Sequence, residues 1–190
     1  MAPSTEPTAV LQKSPLLAGK TVVLTGGAGG IGQVLSQNLL EAGAKLIITG
    51  RNETKLLKFK QELELEFPSS TIAAHVCDSS NFLETKSFAA EIGRQFGGID
   101  VLINNSGSAG PKQEIRQIPI DALDLKRLQA SGLTETESLW DSFGSLLAGP
   151  WFMTKALLPY FKQGSSIVNV STIFSRTPYY GRTAYTVPKS

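Results

Sequence analysis

Residues 21–32, TVVLTGGAGGIG, decide how the rest of the chain is read. An apolar, β-branched run from Thr21 to Thr25 meets five glycines within seven residues, and the helix-like IGQVLSQNLLEAGA follows at once. A strand that ends in glycines and opens a helix is suited to holding a phosphate. The glycines let the backbone approach the anion, and the first N–H groups and positive dipole end of the helix face it. The spacing T-G-x-x-x-G-x-G puts Gly26, Gly30 and Gly32 at the turn, with Gly29 and Ile31 between them. Glycines alone are a weak signal. Here they lie between a strand and a helix, as the mechanism requires, so these five positions are candidate cofactor contacts.

Working outward, Gly43 ends the first helix and residues 45–49 (KLIIT) form a second buried strand. Asn52 is placed to cap a charged helix running to Phe67, with Pro68 just past its end. Residues 71–76 alternate into a third strand that closes at Cys77-Asp78, and residues 82–96 carry apolar side chains at helical spacing before Gly97-Gly98. Residues 99–104 are a fourth strand, followed by Asn105-Ser106-Gly107. Strands alternating with amphipathic helices predict an α/β fold, a Rossmann-type doubly wound parallel sheet with helices on both faces. Residues 108–139 are a long charged insert containing Pro111, Pro119 and Gly132, and they follow the strand edge where open α/β sheets bind ligands. A long helix over 140–161 and a fifth strand over 166–171 are expected next, then a helix capped by Thr183 and opening at Tyr185. Residues 1–17, rich in Pro, Ser and Thr, are expected to be a flexible tail or an adaptor to a partner, and residues 18–190 a dinucleotide-binding domain. Because the sequence stops inside that helix, the expectation is an amino-terminal fragment of a longer protein, its sheet truncated after the fifth strand.

Composition narrows the class further. The chain is 41% hydrophobic and 18% charged, with a formal net charge of +2. That charge supplies no electrostatic footprint for nucleic acid or an anionic membrane. No apolar run approaches the ~20 residues of a membrane helix, and the first residues lack the apolar core of a signal peptide. These features point to a cytoplasmic protein. Cys77 and His75 stand alone as residue types, so neither a disulfide within the chain nor a metal site is expected.

Tyr185 and Lys189 are four apart, on one face of the last helix. An ammonium beside a phenol favours the ionised oxygen; at ~4.5 Å and an effective dielectric of ~20 the attraction is about 3–4 kcal/mol. Such a pair suits acid–base chemistry. Pro188 between them fits if this is the first turn of the helix, where its missing N–H has no partner to lose. The end of the second strand reads Thr49-Gly50-Arg51-Asn52. NAD-specific folds place a carboxylate near this position for the ribose 2′-OH. With none here, Arg51 and its neighbour Asn52 are candidates for the 2′-phosphate, and NADPH/NADP is the expected cofactor.

The glycine run, Asp78, the NNSG ending at Gly107, the Ser171-Thr172 pair and Tyr185–Lys189 together resemble the short-chain dehydrogenase/reductase family, in its order and near its spacings. The run VNVSTIFSRTPYYGRTAYTVPKS, with NNSGSAG and the IP-containing insert, is more narrowly similar to the amino-terminal reductase module of bifunctional malonyl-CoA reductases. That resemblance implies reduction of malonate semialdehyde to 3-hydroxypropionate with NADPH. By family analogy Tyr185 is the general acid, Lys189 binds the nicotinamide ribose, and Thr172 holds the substrate oxygen. Ser171, one residue earlier on the strand, is expected to face the other way, unless a bulge exchanges the two. Asp78 would meet the adenine edge, and Asn105, Ser106 and Gly107 would border the cofactor. The family's relay Asn is replaced by Ser145, whose hydroxyl holds a water less firmly. Arg176 and Arg182 are candidates for a substrate carboxylate. The expected partner is a small-molecule carbonyl substrate, with no nucleic acid and no membrane, and the family implies a homo-oligomer. A reductase of another aldehyde or ketone, such as a polyketide or steroid, and a nucleotide-binding module without turnover both stay open.

Overall fold

The structure, a computed structural model, describes residues 15–107, 116, 139–177 and 180–189. Short runs of β-branched and apolar residues pair edge to edge as β1 (Thr21–Thr25), β2 (Lys45–Gly50), β3 (Ile72–Val76), β4 (Ile99–Asn104) and β5 (Phe161–Asn169). The sheet order is β3-β2-β1-β4-β5 and every pairing is parallel. Each crossover must carry the chain back across a face of the sheet, which is where the helices lie. These are α1 (Gly30–Glu41), α2 (Glu53–Glu66), α3 (Phe82–Phe96), α4 (Leu139–Phe143), α5 (Gly149–Leu157) and α6 (Thr183–Lys189).

Alternation along the strands sorts the core into two layers. Val22, Leu24, Leu46 and Ile48 face one side and meet Leu40 of α1 and Leu56, Phe59 and Leu63 of α2. Val23, Ile47 and Leu102 face the other and meet Phe88 and Ile92 of α3 and Met153 and Leu157 of α5. Val22, Val23, Leu24, Leu46, Ile47 and Ile48 expose no surface at all. Burial of each such side chain stabilises the fold by about 1.5–3 kcal/mol. Leu17 packs against the first layer, and its N–H bonds the Ala42 carbonyl at 2.8 Å. Residues 1–14, and all but Arg116 of the insert at 108–138, lie outside the described residues.

Several elements differ from the sequence-based expectation. The stretch 140–161 is helical as far as Tyr160, as expected, but it is not uniformly α. A π-turn (Gly144–Ala148) follows α4, with the Gly149 N–H reaching back to the Gly144 carbonyl, and Pro150 then starts α5. Pro159 ends α5, because its ring would strike the preceding turn, and a short 3₁₀ turn (Leu158–Tyr160) leads into β5. The apolar spacing runs on through Phe161, so periodicity alone hides this break. β5 starts at Phe161 instead of Ser166. It carries an irregularity where Ile99 and Val101 face Phe161 and Ser166, and Gly164, at φ 80°, takes the bend. α6 opens at Thr183, two residues before Tyr185, because the Arg182 carbonyl accepts the N–H groups of Tyr185 and Thr186 at 3.0 and 2.8 Å. Pro188 is therefore in the second turn, not the first. Among the described residues no helix is long and apolar enough to cross a membrane.

The chain runs outward in opposite directions from β1 and β4, which are neighbours in the sheet. A crevice opens beyond the carboxyl ends of two such strands.

Candidate active site

Thr25, the last residue of β1, holds this crevice together. Its buried hydroxyl accepts the N–H groups of Asn105 and Ser106 at 3.0 and 2.9 Å and donates to the Ile103 carbonyl at 3.4 Å. The Asn105 amide returns the contact, donating to the carbonyls of Thr25 and Gly26 at 3.1 and 3.3 Å. The loop after β4 is thereby fastened to the glycine turn. Gly26 has φ 67°, a left-handed conformation glycine adopts freely, and a Cβ there would lie 3.0 Å from the Ser106 Cα. At Gly32 a Cβ would stand 2.1 Å from the Gly26 carbonyl oxygen, so no side chain fits. Gly30 is the opposite case: among the described residues a Cβ there meets no atom within 4 Å. Gly29 is the N-cap of α1 and brings no side chain to cap it, so among the described residues the first-turn N–H groups have no side-chain cap.

Beyond this turn lies a cleft of about 500 Å³. Gly26, Gly29, Gly30, Ile31 and Gly32 form one wall. Arg51 lines it from the end of β2, and Asp78 from the end of β3. Asn105, Ser106 and Gly107 line it after β4, Ser145 from the π-turn, and Tyr185 and Lys189 from α6. The sequence-predicted pair and the glycine turn therefore share one cleft.

Individual groups are held as follows. Lys189 is half-buried; its Nζ donates to the Val170 carbonyl at 2.5 Å, and burial makes its ammonium easier to deprotonate. Ser171 donates to the Lys189 carbonyl at 2.8 Å and lines the cleft. Thr172 does not line it. Its Oγ1 accepts the Phe174 N–H at 3.3 Å and caps a 3₁₀ turn (Ile173–Ser175). Ser145 is buried and donates to the Ser142 carbonyl at 3.5 Å. The Asp78 carboxylate accepts from the N–H and hydroxyl of Ser80 at 2.9 and 2.7 Å. Asn52 lies outside the lining and caps α2, accepting the Lys55 N–H at 2.8 Å. Arg176 is exposed and Arg182 half-buried, and neither lines the cleft. Arg51 Nη1 donates to Asp141 Oδ1 at 2.9 Å.

Gly50, Cys77, Ser79 and Val170 also line the cleft, and sequence reasoning had given them no site role. Their one signal is position at or next to a strand's carboxyl end. Burial above all, reinforced by the nearby Glu84 charge, pushes the Cys77 thiol up to about 11. It therefore stays protonated and unreactive near neutrality. Among the described residues no group of three His, Cys, Asp or Glu is placed to hold a metal ion.

This constellation belongs to a known class: the short chain dehydrogenase family model matches residues 20–190, and the chain is a member of that family. Within it, the chain is similar to the NADP-bound N-domain of bacterial malonyl-CoA reductase, with a TM-score of 0.79 and 38% identity, over 90% of this chain and 32% of that one. It is 31% identical to 3beta-hydroxysteroid dehydrogenase 2 of Eggerthella lenta, over 93% of this chain and 62% of that protein. It is 30% identical to the NADP-dependent 3-hydroxy acid dehydrogenase of Schizosaccharomyces pombe, over 92% and 62% respectively. The chain thus spans 62% of the length of each of these two curated relatives.

Proposed function

We propose that the chain is the NADPH-dependent carbonyl reductase part of a malonyl-CoA reductase, reducing malonate semialdehyde to 3-hydroxypropionate. The observation that carries this reading is the meeting of Tyr185, Lys189 and the glycine turn in a single cleft. The turn fits a dinucleotide's diphosphate. Gly32 is closed by the protein's own backbone, whereas Gly30 keeps clear a space that no atom of the described residues fills. Arg51 is the cationic partner for a 2′-phosphate, and Asp78 borders the adenine end. NADPH, when bound, supplies the hydride. Tyr185 donates the proton to the substrate's carbonyl oxygen. Lys189 has three N–H donors, one spent on Val170, which leaves two for the ribose and for the tyrosine side of the cleft.

The hydroxyl that steadies the substrate oxygen comes from the Ser171-Thr172 pair, and Ser145 supports a water for returning the proton to Tyr185. Arg176 or Arg182 pairs with the substrate's carboxylate. The choice of substrate is supported by the likeness to the malonyl-CoA reductase N-domain, and the choice of cofactor by Arg51 together with that likeness. The test is NADPH consumption, followed by absorbance, with malonate semialdehyde and with a neutral aldehyde of equal length. The reading expects the acidic aldehyde to be preferred and NADPH to outperform NADH. Equal rates for both aldehydes would contradict the substrate, and equal rates for both nucleotides would contradict the cofactor.

A further inference from the structure

Arg51 and Asp141 lie 90 residues apart in the chain yet meet at 2.9 Å. Arg51 follows β2, lines the cleft, and its side chain is 42% exposed. Asp141 sits in α4, does not line the cleft, and its side chain is only 10% exposed. Arg51 therefore joins the cleft wall to a nearly buried carboxylate. We propose that Asp141 is a positioning residue for cofactor choice: it holds Arg51 ready to receive a 2′-phosphate. This rests on the NADPH reading above.

The physical case is one of order prepared in advance. A free arginine loses rotamer freedom when it grips a phosphate, and a partner that fixes it beforehand removes that cost from binding. The guanidinium has five N–H donors in a rigid fork. Among the described residues Arg51 makes this single hydrogen bond, through Nη1, so most of the fork remains for a second anion. Asp141 also bears a negative charge, which would repel a phosphate. Asp141 does not line the cleft, however, whereas Arg51 does, so Asp141 acts on the occupant through the arginine, with orientation outweighing repulsion. An uncharged 2′-OH can accept one hydrogen bond but offers no charge and no bidentate grip, so it gains far less from a fixed guanidinium and the effect falls mainly on the phosphorylated cofactor.

The experiment is calorimetric titration of the full chain with NADP and with NAD, on the parent, Asp141→Asn, Asp141→Glu, Arg51→Ala and the double variant Arg51→Ala/Asp141→Asn. Asp141→Asn should weaken NADP by about three- to tenfold and NAD far less. Asp141→Glu, which keeps the carboxylate, should recover part of the loss. In the Arg51→Ala background the Asn substitution should have no further effect on NADP. Tighter NADP binding in Asp141→Asn, equal weakening of both nucleotides, or an effect that persists without Arg51 would each overturn the proposal. If Arg51→Ala itself leaves NADP binding intact, the NADPH reading falls and this inference with it. If Arg51→Ala weakens NADP and Asp141→Asn does not, this inference alone falls.

Discussion

Gly30 and Gly32 stand two residues apart on one turn, and a methyl group has opposite consequences at each. At Gly32 it would strike the Gly26 carbonyl oxygen, 2.1 Å away, and the turn itself would have to shift. Gly32→Ala should destabilise the fold by about 1–3 kcal/mol or more, seen as a lower denaturant midpoint. At Gly30 the methyl group meets no atom of the described residues within 4 Å. Gly30→Ala should leave the midpoint unchanged or raised, since alanine suits a helix better than glycine by about 1 kcal/mol. Its cost should appear in nucleotide affinity instead, read by titration. If both variants lost stability alike, Gly30 would be packing residue rather than ligand space. The sequence marked both glycines but could not separate them, because the distinction depends on what each Cβ would meet. Arg51 was legible in the same partial way: its place after β2 was evident, whereas its pairing with Asp141 depends on a contact across 90 residues.

At the scale of elements, the staple between β1 and β4 matters most. Thr25 accepts two backbone N–H groups with one buried hydroxyl, so Thr25→Val keeps the shape and leaves both donors unpaired. The expected cost is about 1–3 kcal/mol per unsatisfied donor, measured by urea unfolding, together with weaker nucleotide binding. Unchanged stability and affinity would mean that the loop after β4 is held by other contacts. The helix at Phe82–Phe96 and the strand at Ile99–Asn104 match their sequence reading end to end, because Asn81 accepts the N–H groups of Leu83 and Glu84 and Gly97, at φ 67°, stops the helix. The region 140–161 is helical to Tyr160, as its apolar stripe indicates, but that stripe does not reveal the π-turn before Pro150 or the 3₁₀ turn at Pro159. Thr172 shows another limit of spacing. Counting back from Tyr185 selects it, yet its hydroxyl caps a turn while Ser171 lines the cleft.

Across the whole molecule, the sheet carries its ligand chemistry at the carboxyl edge and a charge cluster at the opposite end. Asp100, in β4, accepts from the Thr21 N–H at 2.9 Å and from Lys20 and Lys162 at 3.1 and 2.8 Å. Partial desolvation pushes its carboxyl up, but the hydrogen bonds from Lys162, Thr21 and Lys20 outweigh this and bring it down to about 2. A carboxyl lower in the folded than in the unfolded chain stabilises above the unfolded value, near ~4, and that stability is lost as pH falls toward the folded value. Unfolding followed from pH ~5 to ~2 should therefore steepen below ~4 in the parent and flatten in Asp100→Asn. The gain is modest, since both lysines are largely exposed.

The central claim is that Tyr185 delivers a proton in a cleft where the glycine turn holds a nicotinamide dinucleotide. Tyr185→Phe, assayed for NADPH oxidation with malonate semialdehyde alongside NADPH titration, tests it most directly. The account predicts turnover lower by a factor on the order of 10²–10⁴ with nucleotide affinity unchanged. Turnover equal to the parent's would contradict it.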